Sequence, residues 1–216
     1  MARVKPDPLT VFLDLIAVAP QRLVASTEPA ALAAHVEDAL GTVPLIADET
    51  GPLVDVGTGA GFPGVPLLLA RPDLVGTLLD SRAKRCQHLQ QVVDATGLAE
   101  RVRVRNLRAE EHAAAEGREQ YGIAVARALA PPPVAIELCL PLLRTGGVCI
   151  LHAGAVERSA VEQAAAALGG TLEVIDPVPG FAARNRVVVR KTSPTPAGFP
   201  RRTGLAAKEP LVRSQD

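Results

Sequence analysis

The sequence predicts an α/β protein: a doubly wound, mostly parallel sheet with helices on both faces and a helical layer at the N-terminus. Three observations carry this. From residue 53 onward, short apolar runs alternate with helical stretches at regular spacing. The first run, Leu53 to Val56, empties into four glycines within eight residues, Gly57, Gly59, Gly61 and Gly64. Two stretches with helical periodicity precede that run.

Taken in order, Leu9 to Ala19 reads as a helix stopped by Pro20. Pro29 to Leu40 reads as a second, with Thr27 as its cap and Pro29 in its first turn. Strands are expected at 53–56, 75–80, 101–105, 122–126 and 146–152, and two closing strands near 171–176 and 185–190. Helices are expected at about 65–70, 82–96, 133–143 and 155–168. Residues 192–216, rich in Pro, Gly and Arg, read as an irregular tail. The 216 residues suffice for one domain with a real core. The organisation is an N-terminal helical extension over 1–50, a catalytic domain over 51–191, and a basic C-terminal tail over 192–216 packed on or near it.

The glycine turn is the chemical signal. Glycine lets a backbone turn sharply and approach a ligand closely, and a helix N-terminus presents unpaired N–H groups. A dinucleotide fingerprint needs G-x-G-x-x-G, but counting from Gly57 its third position falls on Phe62. The frame from Gly59 matches formally, yet starts late and places Pro63 where N–H groups should face a pyrophosphate. Asp55-x-Gly57-x-Gly59-x-Gly61 instead resembles the first motif of S-adenosylmethionine (SAM) methyltransferases. A glycine-rich turn without a ligand is the alternative.

Ligands of such sheets bind at the carboxyl ends of the strands. The second strand ends in Asp80, 23 residues after Gly57, where an acid can accept from both ribose hydroxyls or cap the following helix; both roles can hold. The third leads to Ala109-Glu110-Glu111, which either flanks an adenine or starts a short helix whose positive end favours acids. The fourth runs into Arg127, a lone charge in a long apolar stretch, read as belonging to the reaction centre or else paired with a structural acid. The next loop is Ala130-Pro131-Pro132-Pro133, not the Asn/Asp-Pro-Pro-aromatic sequence common in amino-group methyltransferases. No cysteine follows a proline, which removes the usual nucleophile for methylating a pyrimidine carbon.

Composition narrows the classes further. Only four Phe, one Tyr and no Trp are present, too few for extensive aromatic stacking platforms. No apolar run approaches the length of a membrane-spanning helix, and the N-terminus lacks a signal-peptide pattern, so a cytoplasmic protein is expected. Cys86, Cys139 and Cys149 are unclustered and read as reduced core residues, and the four histidines show no metal-ligand spacing. Net charge is zero but uneven: −4 over residues 1–50, −2 over 51–180 and +6 over 181–216. The basic end is a candidate polyanion contact or a solvated tail.

These residues resemble the RsmG (GidB) family, methyltransferases of 16S ribosomal RNA that act on a guanine N7. The resemblance runs through Asp55 to Gly64, Leu79-Asp80-Ser81 with Lys84-Arg85, Arg108-Ala109-Glu110-Glu111, Ala126-Arg127-Ala128 and Pro200-Arg201-Arg202-Thr203-Gly204 with Lys208. His35 and Asp38 fit the family's His-x-x-Asp. It implies a Rossmann-like SAM-methyltransferase sheet, SAM as cofactor, and 16S ribosomal RNA or the small ribosomal subunit as partner. It also implies SAM contacts from Gly57, Phe62, Ala109, Glu110 and Arg127. With the turn and strand-end readings, the expected cofactor set is Gly57, Gly59, Gly61, Phe62, Asp80, Ala109, Glu110 and Arg127, with Arg127 also catalytic and no metal. Arg186, Arg201, Arg202 and Lys208 are the expected RNA contacts. The chain departs from the family at His152-Ala153, where Lys-Gly is usual.

Guanine N7 carries a lone pair and no proton, so attack on a sulfonium methyl needs no general base. The absence of an obvious base is therefore expected. The expectation is an rRNA guanine-N7 methyltransferase acting as a monomer. A SAM enzyme with another substrate, an inactive RNA-binding relative and a nicotinamide oxidoreductase are the alternatives.

Overall fold

The computed structural model describes residues 6–179, 181 and 183–212; Arg213 and Asp216, counted in the basic end, lie outside them. A seven-stranded sheet runs in the order β3-β2-β1-β4-β5-β7-β6. Its strands are β1 (Leu53–Val56), β2 (Gly76–Leu79), β3 (Val102–Arg105), β4 (Tyr121–Arg127), β5 (Leu143–Ala153), β6 (Gly170–Pro177) and β7 (Asn185–Lys191). β1 to β5 are mutually parallel, and β7 is antiparallel to both β5 and β6.

Successive strand residues point to opposite faces, and both faces are covered. Leu53, Ile123, Val125, Val148 and Ile150 join one core cluster, under α1 (Pro8–Ala17), α2 (Pro29–Leu40), α3 (Gly64–Ala70) and α4 (Ala83–Ala95). Val54, Val56, Ala124, Cys149 and Leu151 join the other, under α5 (Ala109–Ala113), α6 (Pro132–Cys139) and α7 (Arg158–Ala167). The doubly wound reading therefore holds. The N-terminal layer shares the first core: Phe12 and Ile16 of α1, and Leu32 and Val36 of α2, are buried in it. All three cysteines are buried and free.

Several boundaries differ from expectation for physical reasons. Thr27 does not cap α2; Glu28 occupies the cap position without a side-chain bond, and its N–H donates to Ser26 Oγ at 3.2 Å. α6 ends at Cys139 and passes into a 3-10 turn over Leu140–Leu142, because Pro141 has no N–H to continue the helix. The tail is not wholly irregular. It contains α8 (Leu205–Lys208), and Phe199, Leu211 and Val212 pack against the second core. Among the described residues no helix is long and apolar enough to cross a membrane.

The turn after β1 is held by one buried side chain. Asp55 is fully buried; its Oδ2 accepts from Thr58 Oγ1 at 2.7 Å and from the Gly64 N–H at 2.8 Å. A Cβ at Gly64 would stand 2.6 Å from that oxygen, so the helix can approach the carboxylate only through glycine. Gly57, Gly59 and Gly61 all have positive φ (69°, 61° and 104°), which side-chain-bearing residues rarely adopt.

Burial pushes the Asp55 carboxyl up to about 6, against the opposing pull of its two hydrogen bonds. A carboxyl whose pKa is raised on folding contributes stability below its ordinary value near 3.8 and loses it as pH rises through about 6. Asp55→Asn removes that titration. The thermal midpoint of the native protein minus that of Asp55→Asn is expected to be larger at pH 4–5 than at pH 7; a constant difference would remove Asp55 as the cause.

Candidate functional site

β1 and β4 are neighbours at the point where strand order reverses, the position at which open α/β sheets bind ligands. The loops at their carboxyl ends carry the expected residues. A narrow pocket of about 70 Å³ opens there, walled by Val56, Gly57, Asp80, Ala109, Glu110 and Leu129. Gly57, Asp80, Ala109 and Glu110, drawn from three separate loops, are thus brought together. Gly59 and Gly61 shape the same turn without lining that pocket.

Asp80 is buried and divides its carboxylate. Oδ2 accepts from the Gly59 N–H at 3.0 Å and faces Arg85 Nη1 at 3.4 Å, while Oδ1 accepts from the Arg82 N–H at 2.8 Å. The acid therefore braces the glycine turn and the head of α4 together, from the wall of the pocket. Glu110 is also buried, and its Oε1 accepts from the Gly204 N–H at 2.7 Å. The tail is docked beside the pocket, through the carboxylate that the family resemblance assigns to the cofactor.

The residues present fit an adenosyl group in their chemistry. Glycine-only backbone, an acid at the end of β2 and the start of α5 converge on one pocket. A Cβ built on Gly59 would stand in ordinary contact with Arg85 Nη1 at 3.6 Å and the Gly57 carbonyl oxygen at 3.8 Å. The pocket is narrow because Leu129 leans on Gly57, its Cδ1 2.5 Å from where a Cβ would stand. Leu129 has to rotate for a ligand to lie along the turn.

Phe62 and Arg127, also expected as cofactor contacts, do not line that pocket. Phe62 is buried against Phe12 (ring centroids 4.9 Å apart), and the Arg127 guanidinium sits 4.8 Å above its ring. Arg127 Nη1 donates to His35 Nδ1 at 3.1 Å. Burial, then the charges of Arg127 and Arg184, depress the His35 pKa, which keeps that nitrogen an acceptor. Arg127 also faces Asp38 Oδ2 at 3.9 Å, so the acid partner weighed for it exists and lies on α2.

Arg127 also lines a wider cleft of about 380 Å³, bordered by residues 23–25, His35 and Asp38 of α2, the carboxyl ends of β4 and β5, and Ala183 and Arg184 just before β7. Asp38 sits at its floor, fully buried. Around it stand His152 Nδ1 at 3.3 Å, Arg184 Nη1 at 3.4 Å and Arg186 Nη2 at 3.9 Å, together with Arg127. Burial opposes ionisation of Asp38, but the His152 ring and the Arg184 and Arg127 charges outweigh it and hold the carboxyl below its ordinary value. His152, the departure from the family's lysine, also bonds Thr42 Oγ1 through Nε2 at 3.0 Å. The cleft carries more positive than negative charge.

The four expected RNA contacts divide. Arg202 and Lys208 are exposed. Arg186 is buried between Asp38 and Asp176, with Nη1 3.5 Å from the latter. Arg201 grips the buried Glu137 of α6 with both arms of its fork, at 2.5 and 2.6 Å, and donates to the Glu209 carbonyl at 2.8 Å. In this structure Arg186 and Arg201 spend their charge on intramolecular partners. The sequence did not single out Asp38's cage, Leu129 or the turn that carries Arg184. His35-x-x-Asp38, on one face of a helix, was the one signal available for the cage.

Removing Arg201 leaves a buried carboxylate uncompensated. Arg201→Ala is expected to lower the thermal unfolding midpoint by about 5 °C or more. Adding Glu137→Leu should recover most of the loss, as read by differential scanning calorimetry.

Comparison with known proteins follows the same lines. A sequence profile described as rRNA small subunit methyltransferase G (GidB) matches residues 9–186. Ribosomal RNA small subunit methyltransferase G of Acetivibrio thermocellus is 39% identical over 186 residues, 82% of this chain and 76% of that protein. The protein of the same name from Symbiobacterium thermophilum is 38% identical over 220 residues, 95% of this chain and 89% of that protein. Among solved structures, MtNAS superposes with a TM-score of 0.59 at 13% identity, over 86% of this chain and 71% of that one. Mitomycin 7-O-methyltransferase MmcR gives 0.57 at 17% identity, over 84% and 60%. These two share the fold. With the profile covering most of the sequence and close relatives covering nearly all of it, the chain belongs to the rRNA small subunit methyltransferase G family.

Proposed function

We propose that this protein transfers a methyl group from S-adenosylmethionine to N7 of a guanine in small-subunit (16S) ribosomal RNA. One observation supports the reading above others: a family-matched glycine turn and Asp80 form a pocket, and the end of β4 with the loop after it, which gives that pocket Leu129, gives Arg127 and Ala128 to a cationic cleft. The first suits a nucleoside cofactor and the second suits a nucleotide of a polyanion. Both are built within one chain, which supports a monomer, and the ribosomal substrate supports a cytoplasmic enzyme.

Asp80 receives the ribose hydroxyls, and the turn from Gly57 to Gly61 carries the methionine portion. Ala109 and Glu110 flank the adenine. Bound there, S-adenosylmethionine supplies a sulfonium methyl; as the N7–carbon bond forms, the carbon–sulfur bond breaks and its electron pair stays on sulfur. The positive charge ends on the purine, and no proton moves. The protein's task is alignment and exclusion of water, and orientation of two reactants can supply up to roughly 7–11 kcal/mol. Arg127, fixed by His35, Asp38 and the Phe62 ring, lines the wide cleft two residues before Leu129 of the narrow pocket and sets that alignment. Paired A-form RNA hides N7 in a deep groove, so the target is an unpaired or distorted nucleotide. Arg202 and Lys208 remain as phosphate contacts at the tail.

Asp80→Ala removes a charged acceptor and is expected to weaken SAM binding about ten- to a hundredfold by calorimetry. Loss of thermal stability with unchanged affinity would leave Asp80 only its brace of the turn and α4. The function itself is tested with labelled SAM and small subunits lacking the modification. After digestion to nucleosides, the label is expected in 7-methylguanosine. Label in another nucleoside would make this a SAM enzyme of different specificity, and no transfer would leave an RNA-binding relative.

A further inference from the structure

The wide cleft has a feature that the methyl-transfer reading does not use. Arg184 lies in the turn between β6 and β7, with its guanidinium 4.1 Å from the centroid of the Phe181 ring. Asp38 Oδ2 faces its Nη1 at 3.4 Å and fixes its swing. At the described ends of the turn, the Val178 N–H donates to the Arg184 carbonyl at 2.8 Å, and Asn185 Nδ2 donates to the Gly154 carbonyl just after β5 at 2.7 Å. Arg184 lines the cleft while Phe181 does not. The ring therefore packs on the guanidinium, and the Arg184 side chain borders the cleft. Its side chain keeps 32% of its exposure, although Nη1 is buried without a hydrogen-bond partner. Leu23, Val24 and Ala25 line the same cleft.

A rigid planar cation facing an apolar wall across an open cleft is suited to a flat, electron-rich ring. Guanidinium planes stack on nucleobases, and extruded bases are held between stacking and apolar side chains. In a chain with five aromatic residues, the stacking surface falls to an arginine braced by one of them. We propose that this cleft receives the acceptor nucleotide in an unstacked form, with its purine ring lying between the Arg184 guanidinium face and the Leu23–Val24 wall. Arg184 is then a substrate-positioning residue, and Asp38 and Phe181 hold it in plane. The inference rests on the RNA methyltransferase reading and names the acceptor pocket of that site.

The test uses the full-length protein, labelled SAM and small subunits lacking the modification. Arg184→Ala is expected to lower kcat/KM for the subunits about five- to 150-fold, the range for losing one stacked base. SAM affinity by calorimetry and the circular dichroism spectrum should be unchanged. Arg184→Lys keeps the charge but not the plane, and should be as impaired as Arg184→Ala. Phe181→Leu, which keeps bulk and loses the ring, should fall between Arg184→Ala and the native protein. Full rescue by lysine would replace the stacking platform with a simple charge contact and overturn the proposal. Unchanged kcat/KM in Arg184→Ala, or an equal loss of SAM affinity, would overturn it as well. If the native protein labels no RNA, the functional reading fails instead, a result separable from any effect of the variants.

Discussion

The buried carboxylate of Asp55 is the constraint on which the rest of the site depends. A charge-bearing group inside a parallel sheet is costly unless satisfied, and among the described residues this one finds partners for Oδ2 alone, both from the turn it shapes, while Oδ1 has none. Thr58 Oγ1 and the Gly64 N–H both reach the same oxygen, so the chain must leave β1, double back and begin α3 directly over the strand end. That fold-back forces positive φ at Gly57, Gly59 and Gly61 and leaves the turn's backbone without side chains at these three positions. Asp80 completes the brace from β2 by taking the Gly59 N–H. The turn is thus set from below by one acid and from the side by another, before any cofactor arrives.

A second acid organises the other half of the site. Asp38 belongs to the helical layer, but its cage comes from β4, β5, β7 and the turn before β7. One carboxylate therefore locks α2 onto the strand ends and holds three arginines close together in spite of their mutual repulsion. The result is a cleft that is cationic and yet rigid. Rigidity matters more than acid–base chemistry here, since a nucleophile that carries no proton needs only to be held in line. Arg127, over the Phe62 ring, bonded to His35 and lining the wide cleft, fits that demand.

The local features of this architecture were legible in the sequence. Strand, glycine turn and helix announce themselves through apolar runs and glycine spacing, and Asp80 through its place after a buried strand. The two-sided burial of β1, β4 and β5 follows from their near-continuous apolar character. What composition could not reveal was pairing between distant residues. Arg201 and Arg186 count as cations in any charge tally of the C-terminal end. Glu137, 64 positions before Arg201, and Asp38, 148 positions before Arg186, neutralise them only once the chain has folded. The same blindness hid Arg184, one cation among eight in the basic end until the fold seats it on Phe181 beside Asp38. Pro141 ends α6 through a rule that the sequence does carry, and the docking of the tail on Glu110 through one it does not.

If the narrow pocket takes the cofactor and the cleft lined by Arg127 takes the acceptor, a crystal structure with S-adenosylhomocysteine will show both placements. The expected ligand has its ribose on Asp80, its adenine beside Ala109 and Glu110, Leu129 rotated off Gly57, and its sulfur directed toward Arg127 and the cleft that holds Arg184. A ligand seated in that wide cleft, or with its sulfur turned away from Arg127, would contradict it.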